Sequence, residues 1–167
     1  RVGAEVTRRF WFWLIAITLL AFALRLGVAA RFQGLSSPPD VEANPDQADY
    51  EALGWRLASG QGFSRADGSP TGFRPPGTPG LIAAVYLVCG HEYAAVRVAF
   101  CLLSALTCLV AGLLAARIYG PLAGLIAAAL ALPTALVVFR LRGAYFAIGT
   151  WVMAEVYRLV FAQFKQL

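Results

Sequence analysis

The sequence has few charged residues and few of the side chains that bind metals or form disulfides. Only 14% of its residues are charged, and it contains one histidine and three cysteines. Cys89, Cys101 and Cys108 lie in apolar stretches without paired spacing, so neither a disulfide framework nor a metal site is indicated. The net charge of +5 is not gathered into a basic face with stacking aromatic residues, so no nucleic acid partner is expected.

Apolar residues dominate instead, at 59% of the chain with a mean hydropathy of +0.67. This is more apolar surface than one small soluble core buries. Because about 20 apolar residues cross the ~30 Å hydrocarbon layer of a bilayer, the sequence predicts an all-α integral membrane protein with four or five transmembrane helices. The predicted spans are 10–30, 75–89, 96–118 and 121–139, with a fifth at 144–164.

The distribution of arginines predicts the orientation of these spans. Residues 1–9 form a basic end that is expected in the cytoplasm, which places the loop 31–74 outside. Arg97 then falls on the inner side with Arg140 and Arg142, whereas Arg117 counts against this orientation. A signal peptide is the alternative for the first span, but its apolar run is long and AARFQG is a poor cleavage site.

The outer loop contains a predicted short amphipathic helix at 47–59, suited to lying on the membrane surface. Its apolar positions recur at helical spacing and are Tyr50, Leu53, Gly54 and Leu57. Asp46 is expected to be its N-cap, with Asp49 three residues later as an acidic variant of the capping box. The sequence RPPGTPG (74–80) then leads into the second apolar helix.

Several motifs follow one another in a recognisable order. They are Asp46 four residues before Tyr50, LASGQGF (57–63), FRPPGTPGLIAA (73–84), the helix at 94–120, and GLIAAALALP (124–133). In this order and spacing, residues 10–133 resemble the amino-terminal part of type-C membrane glycosyltransferases, the mannosyl- and arabinosyltransferase relatives that use polyprenyl-phosphate sugars. The resemblance implies an inverting sugar transferase in a bacterial inner membrane, with membrane lipid and the polyprenyl-phosphate donor as partners and no required cofactor.

Four loop residues are candidates for the chemistry of sugar transfer. The resemblance implies that Asp46 acts as general base or orients the acceptor. Gln47 stands where the family often has a glutamate, which leaves open whether Asp49 shares this catalytic role. Arg74 is the candidate for binding the departing phosphate and Tyr50 for contacting substrate. Simpler alternatives stay open: a helix cap for Asp46, a solvated position for Asp49, a lipid headgroup anchor for Arg74 and interfacial packing for Tyr50.

Two further expectations concern residues outside this loop. His91 and Glu92 fall in the predicted inner turn, where they are expected to be solvated and far from the outer loop. Residues 139–167 resemble the permease of branched-chain amino-acid ABC transporters, through FRLRGAYFAIGTWVMAEVYRLVFAQF (139–164). The alternative function is therefore a permease subunit that contacts an ABC ATPase, or a chimera joined near Pro133. Because the chain begins at Arg1 and ends without a polar tail, it is also expected to be a fragment.

Overall fold

A computed structural model of the chain describes residues 2–138, with side chains described for 7–132. Five helices follow one another: α1 Val2–Phe32, α2 Pro45–Ala58, α3 Gly77–Cys89, α4 Tyr93–Tyr119 and α5 Pro121–Val138. Within the described range there is no strand, and the loop 62–72 carries one isolated bridge between Ser64 and Pro70. The all-α prediction is therefore confirmed for these residues. The predicted helix 144–164 and the permease-like segment lie outside them.

Two of the helices are long and apolar enough to cross a membrane, at Thr7–Phe32 and Tyr93–Tyr119. In the most apolar 18-residue stretch of each helix, only 17% and 22% are buried, respectively. The core helix of a soluble protein would be mostly covered, so this exposure fits a helix that faces lipid. Among the described residues, α3 and the apolar part of α5 are shorter apolar helices.

The described chain divides into two compact units, and one of them combines 2–21 with 106–138. Small residues bring the helices of this unit close together. A Cβ added at Gly112 would lie 2.6 Å from Leu14 Cδ1 and 3.1 Å from Ala128 Cβ, so α4 has no room for a larger side chain there. Next to this contact, an open apolar groove of about 360 Å³ is lined by Trp13, Ile17, Leu125, Ile126 and Ala129.

The second unit, 22–105, holds the end of α1, the loop, α2, α3 and the start of α4. Its central contact is between α2 and α3, where Gly54 meets Pro79 and Ile82. Because the side chain of Gly54 is only a hydrogen atom, the two helices can approach this closely; a Cβ there would lie 2.5 Å from Ile82 Cγ2. Leu53 and Gly54, two of the apolar positions predicted in 47–59, are the buried residues of α2.

Arg97, in the first turns of α4, ties this unit together at the end of α1. Its guanidinium donates hydrogen bonds to the backbone carbonyls of Leu35 and Ser37, and the residue is only 7% exposed. The orientation predicted from the sequence placed Arg97 on the side opposite to the loop, and this placement is wrong. A guanidinium cannot bond the first residues of a loop from across a ~30 Å hydrocarbon layer.

Candidate functional site

The amino end of α2 carries the two predicted carboxylates. The helix begins at Pro45, which occupies the first helical position because it has no backbone N–H to leave unpaired. Asn44 is therefore the N-cap, and Asp46 lies inside the first turn. The prediction that Asp46 caps the helix is wrong. The Asp46 carboxylate is therefore not used as a helix cap and is available for other contacts. Its negative charge near the amino end of the helix is favourable.

Arg74 bonds both carboxylates with a single nitrogen. Its Nη2 lies 2.6 Å from Asp46 Oδ1 and 2.7 Å from Asp49 Oδ2. The two aspartates are three residues apart and so lie on one face of α2. Arg74 comes directly before Pro75 and Pro76, whose restricted backbone fixes the approach to α3. Side chains 28 positions apart in the sequence are thus brought into one site.

Aromatic rings flank the guanidinium of Arg74. Its Cζ lies 5.4 Å from the ring centroid of Tyr50 and 4.8 Å from that of Phe73, within the range of cation–π attraction. The hydrogen bonds that Arg74 donates to Asp49 and to Asp46 raise the pKa of Arg74 above its ordinary value, so the cation persists at every physiological pH. The arginine side chain is 19% exposed, whereas Asp46 and Asp49 are 60% and 54% exposed. A ligand in solution therefore reaches the carboxylates more easily than the arginine.

The four residues singled out in the sequence thus lie together, with the carboxylates of Asp46 and Asp49 and the ring of Tyr50 around Arg74. Arg74 Nε is buried and has no hydrogen-bond partner among the described atoms. The guanidinium is held by its Nη2 bonds and neighbouring rings while one donor is left unpaired. An arrangement of two carboxylates, one cation and an aromatic wall can accept a proton and bind an anion.

A second cluster on the other side of α2 was not predicted. Glu51 Oε1 accepts a hydrogen bond of 3.0 Å from the Tyr86 hydroxyl and lies 2.7 Å from His91 Nε2. The His91 ring stacks on Trp55, and Tyr86 meets both rings edge-on. His91 lies between α3 and α4 and is exposed, as predicted, but the prediction that it is far from the outer loop is wrong. This error arose because 75–89 was predicted to cross the membrane. A crossing there would place the turn 90–92 on the side of the membrane opposite to α2.

Residues able to hold a metal are scattered in the part of the chain that the structure describes. There, histidine, cysteine, aspartate and glutamate form no group of three or more with metal-binding geometry. Arg74 Nη2 lies between the carboxylates of Asp46 and Asp49 and supplies positive charge to both.

Comparisons with known proteins add no further constraint on this site: no family model, curated protein or solved structure matches the chain.

Proposed function

We propose that the chain is the amino-terminal part of a membrane glycosyltransferase, which moves a sugar from a polyprenyl-phosphate donor to an acceptor hydroxyl at the outer membrane face. The observation that supports this most is the shared contact of Asp46 and Asp49 with Arg74 Nη2, at 2.6 and 2.7 Å. A candidate proton acceptor and a cation able to bind an anion are thus in direct contact. In the sequence the site lies between two helices that are long and apolar enough to cross a bilayer, Thr7–Phe32 and Tyr93–Tyr119.

In the proposed topology α1 and α4 cross the membrane in opposite directions. The contact of Arg97 with Leu35 and Ser37 supports this, because α4 starts beside the end of α1. Arg8 and Arg9 then lie at the cytoplasmic end of α1, and Arg117 in the last turn of α4 comes to the same side. Arg117 now agrees with the excess of basic residues on the cytoplasmic side, which it contradicted in the five-span prediction.

The proposed chemistry is a single displacement at the anomeric carbon. The acceptor oxygen attacks this carbon, the bond from the carbon to the phosphate oxygen breaks, and the phosphate leaves with the bonding electrons. The acceptor proton passes to a carboxylate, which must approach the hydroxyl within about 2.6–3.2 Å. Asp46 is the proposed base. Attack from the face opposite the phosphate inverts the configuration of the sugar.

Arg74 links donor binding to the availability of this base. A phosphate that bonds the guanidinium competes with the two carboxylates for the same donor, since charge-assisted bonds from arginine to phosphate and to carboxylate have similar geometry. Displacement of Asp46 from Nη2 leaves its oxygen able to accept the proton of the acceptor. The ground-state ion pairs thereby keep the base occupied until the donor is bound.

The donor half of this proposal is tested by binding. The chain is placed in lipid nanodiscs and titrated with decaprenyl phosphate, and bound lipid is counted by native mass spectrometry. We expect Arg74→Gln to weaken binding at least tenfold, because it removes the cation that meets the phosphate. Arg65→Gln is the matched control, since Arg65 is an exposed arginine of the same loop and its loss changes the net charge equally. Equal binding by the two variants would refute the phosphate role.

The transfer reaction is tested separately, with the complete reading frame expressed in membranes. Release of radiolabelled sugar from polyprenyl phosphate into a lipid or protein acceptor is the readout. We expect transfer in wild type and its loss in Arg74→Gln. Donor binding without any transfer, across a panel of mannosyl, arabinosyl and glucosyl donors, would argue against the enzyme.

A further inference from the structure

The two faces of α3 have different environments. The buried face consists of Pro79, Ile82, Ala83 and Tyr86, which recur at helical spacing on the side where Pro79 and Ile82 meet Gly54 of α2. On the other side Ala84 is exposed, and Leu87 and Val88 are 71% and 85% exposed. The helix GTPGLIAAVYLVC contains no charged residue. An uncharged apolar face is therefore left uncovered within the described part of the chain.

The length of α3 does not match a membrane span. Its 13 residues extend over about 20 Å at ~1.5 Å per residue, whereas the hydrocarbon layer is about 30 Å thick. A helix this short would leave unpaired backbone groups in lipid if it stood upright. Lying along the membrane plane, it satisfies its backbone internally and needs only an apolar face.

Contacts near the two ends of α3 place both ends on the same side of the membrane. Arg74, just before the helix, bonds Asp49, and His91, just after it, bonds Glu51. Asp49 and Glu51 are only two positions apart in α2, which corresponds to about 3 Å of helix rise. If a ~30 Å hydrocarbon layer separated Arg74 from His91, their side chains could not both reach residues that are this close together on α2.

The same side also holds the end of α1 and the start of α4. Arg97 bonds the carbonyls of Leu35 and Ser37, so α4 departs from where α1 arrives. The whole segment between these helices, α3 included, then lies on the face where α1 leaves the membrane. A short uncharged helix attached at this level has the bilayer surface as its nearest apolar neighbour.

We propose that α3 lies in the plane of the membrane, with Ala84, Leu87 and Val88 docked among the acyl chains of the leaflet at which α1 ends and α4 begins. This docking replaces the predicted span at 75–89 and still allows four spans in the chain. It rests on the membrane topology in the proposed function and does not depend on sugar transfer. Its consequence is that the Asp46, Asp49 and Arg74 site is held at headgroup level, where a lipid-linked phosphate lies.

The side of the membrane is tested by cysteine labelling of the full chain in spheroplasts. The labelling variants are made in a Cys89→Ser protein, which lacks the exposed native thiol. The buried Cys101 and Cys108 remain, and the labelling of Cys89→Ser alone is subtracted. Ala66→Cys reports on the loop before α3, and Glu92→Cys reports on the short connection after α3. Both positions are exposed. With a membrane-impermeant maleimide, we expect both to be labelled from the same side. Labelling of the two from opposite sides would show that α3 spans the membrane and overturn the proposal.

The depth of the helix is tested with nitroxide labels in vesicles of phosphatidylcholine and phosphatidylglycerol. Labels at Ala84→Cys and Val88→Cys are expected to collide with oxygen more than with a water-soluble nickel chelate, and to report equal depths. An upright helix would separate the two labels by about 6 Å in depth. Ala52→Cys, exposed on α2, is the water-facing control. Nickel accessibility at 84 and 88 equal to that at 52 would show that water covers this face, and would also overturn the proposal.

Discussion

The imidazole of His91 stacks on the indole of Trp55, with ring centroids 4.1 Å apart and an interplanar angle of 16°. The same histidine meets the carboxylate of Glu51 through Nε2 at 2.7 Å. Two residues of α2, four positions apart on one helical face, thus hold the histidine that lies two residues after the end of α3. The contact fastens the carboxyl end of α3 to the helix that carries the proposed catalytic carboxylates.

His91→Ala removes this fastening and should destabilise the fold. A stacked aromatic pair contributes about 0.5–1.5 kcal/mol, and a hydrogen bond to a charged group somewhat more in buried settings. Because His91 is about one-third exposed, we expect a net loss of about 1–2 kcal/mol. The measurement is thermal unfolding in detergent, followed by tryptophan fluorescence. Glu92→Ala, one residue along the same turn, is the control and should melt like wild type.

Gly54→Ala should separate α2 from α3 even though alanine favours helix formation. The added methyl group would lie 2.5 Å from Ile82 Cγ2 and 3.2 Å from the Pro79 carbonyl oxygen, and such overpacking costs about 1–3 kcal/mol. Gly80→Ala is the matched control, because a Cβ there meets nothing within 4 Å. Adding Ile82→Gly to Gly54→Ala removes both Cγ2 and the Cβ that would lie 2.7 Å from the methyl group, and should recover part of the loss. If the double variant is as unstable as the sum of the single variants, this contact is not the cause.

Asp46→Asn should lower the turnover of the proposed full-length transferase by ~10²- to 10⁴-fold, the contribution of a general base. Asp49→Asn is expected to act differently, by weakening the hold on Arg74, so that KM for the donor changes more than kcat. Glu42→Gln, an exposed carboxylate of the same loop, is the control for lost charge. Steady-state transfer of radiolabelled sugar separates the effects. Near-normal kcat in Asp46→Asn would end its assignment as base, and a large loss confined to Asp49→Asn would move the role to that residue.

Arg97→Met should release the chain after α1 while keeping most of the volume of the arginine stem. Hydrogen bonds from a charged donor contribute about 1.5–3 kcal/mol, and the carbonyls of Leu35 and Ser37 would lose theirs. We expect faster proteolytic cleavage within 33–44, measured by mass spectrometry of the fragments. Arg117→Met, at an exposed position near the other end of α4, should leave this cleavage rate unchanged. Unchanged cleavage in Arg97→Met would mean that other contacts hold the segment.

Local patterns in the sequence predicted the helices better than the contacts between them. The spacing of Leu53 and Gly54 predicted which side of α2 is apolar, because helical periodicity is a property of neighbouring residues. Pro45 was a sufficient signal to move the N-cap to Asn44, and its preference for the first helical position outweighed the capping preference of Asp46. The grouping of Asp46 with Arg74 was implied by the family resemblance and not by spacing.

The Glu51 and His91 contact could not be predicted in the same way, because 40 residues separate them. Whether they meet depends on the direction that α3 takes. An uncharged stretch such as Leu81–Cys89 has the same hydropathy whether it crosses a bilayer or lies along it, so the apolar count alone favoured a span. The distinction resides in the polar residues on either side, Arg74 and His91, and in the partners that they find on α2.

The hydrogen bonds of Arg97 close a chain segment of 62 residues between Leu35 and the start of α4. The entropic cost of closing a flexible segment rises only by about 0.6 kcal/mol for each doubling of its length. The exposed turn at Asp67 and Gly68, far along the chain from either end of the closed segment, can therefore lengthen at little cost. An epitope or affinity tag inserted there should leave the contacts of Arg97 with Leu35 and Ser37 intact, which makes this turn the preferred position for purification and imaging handles.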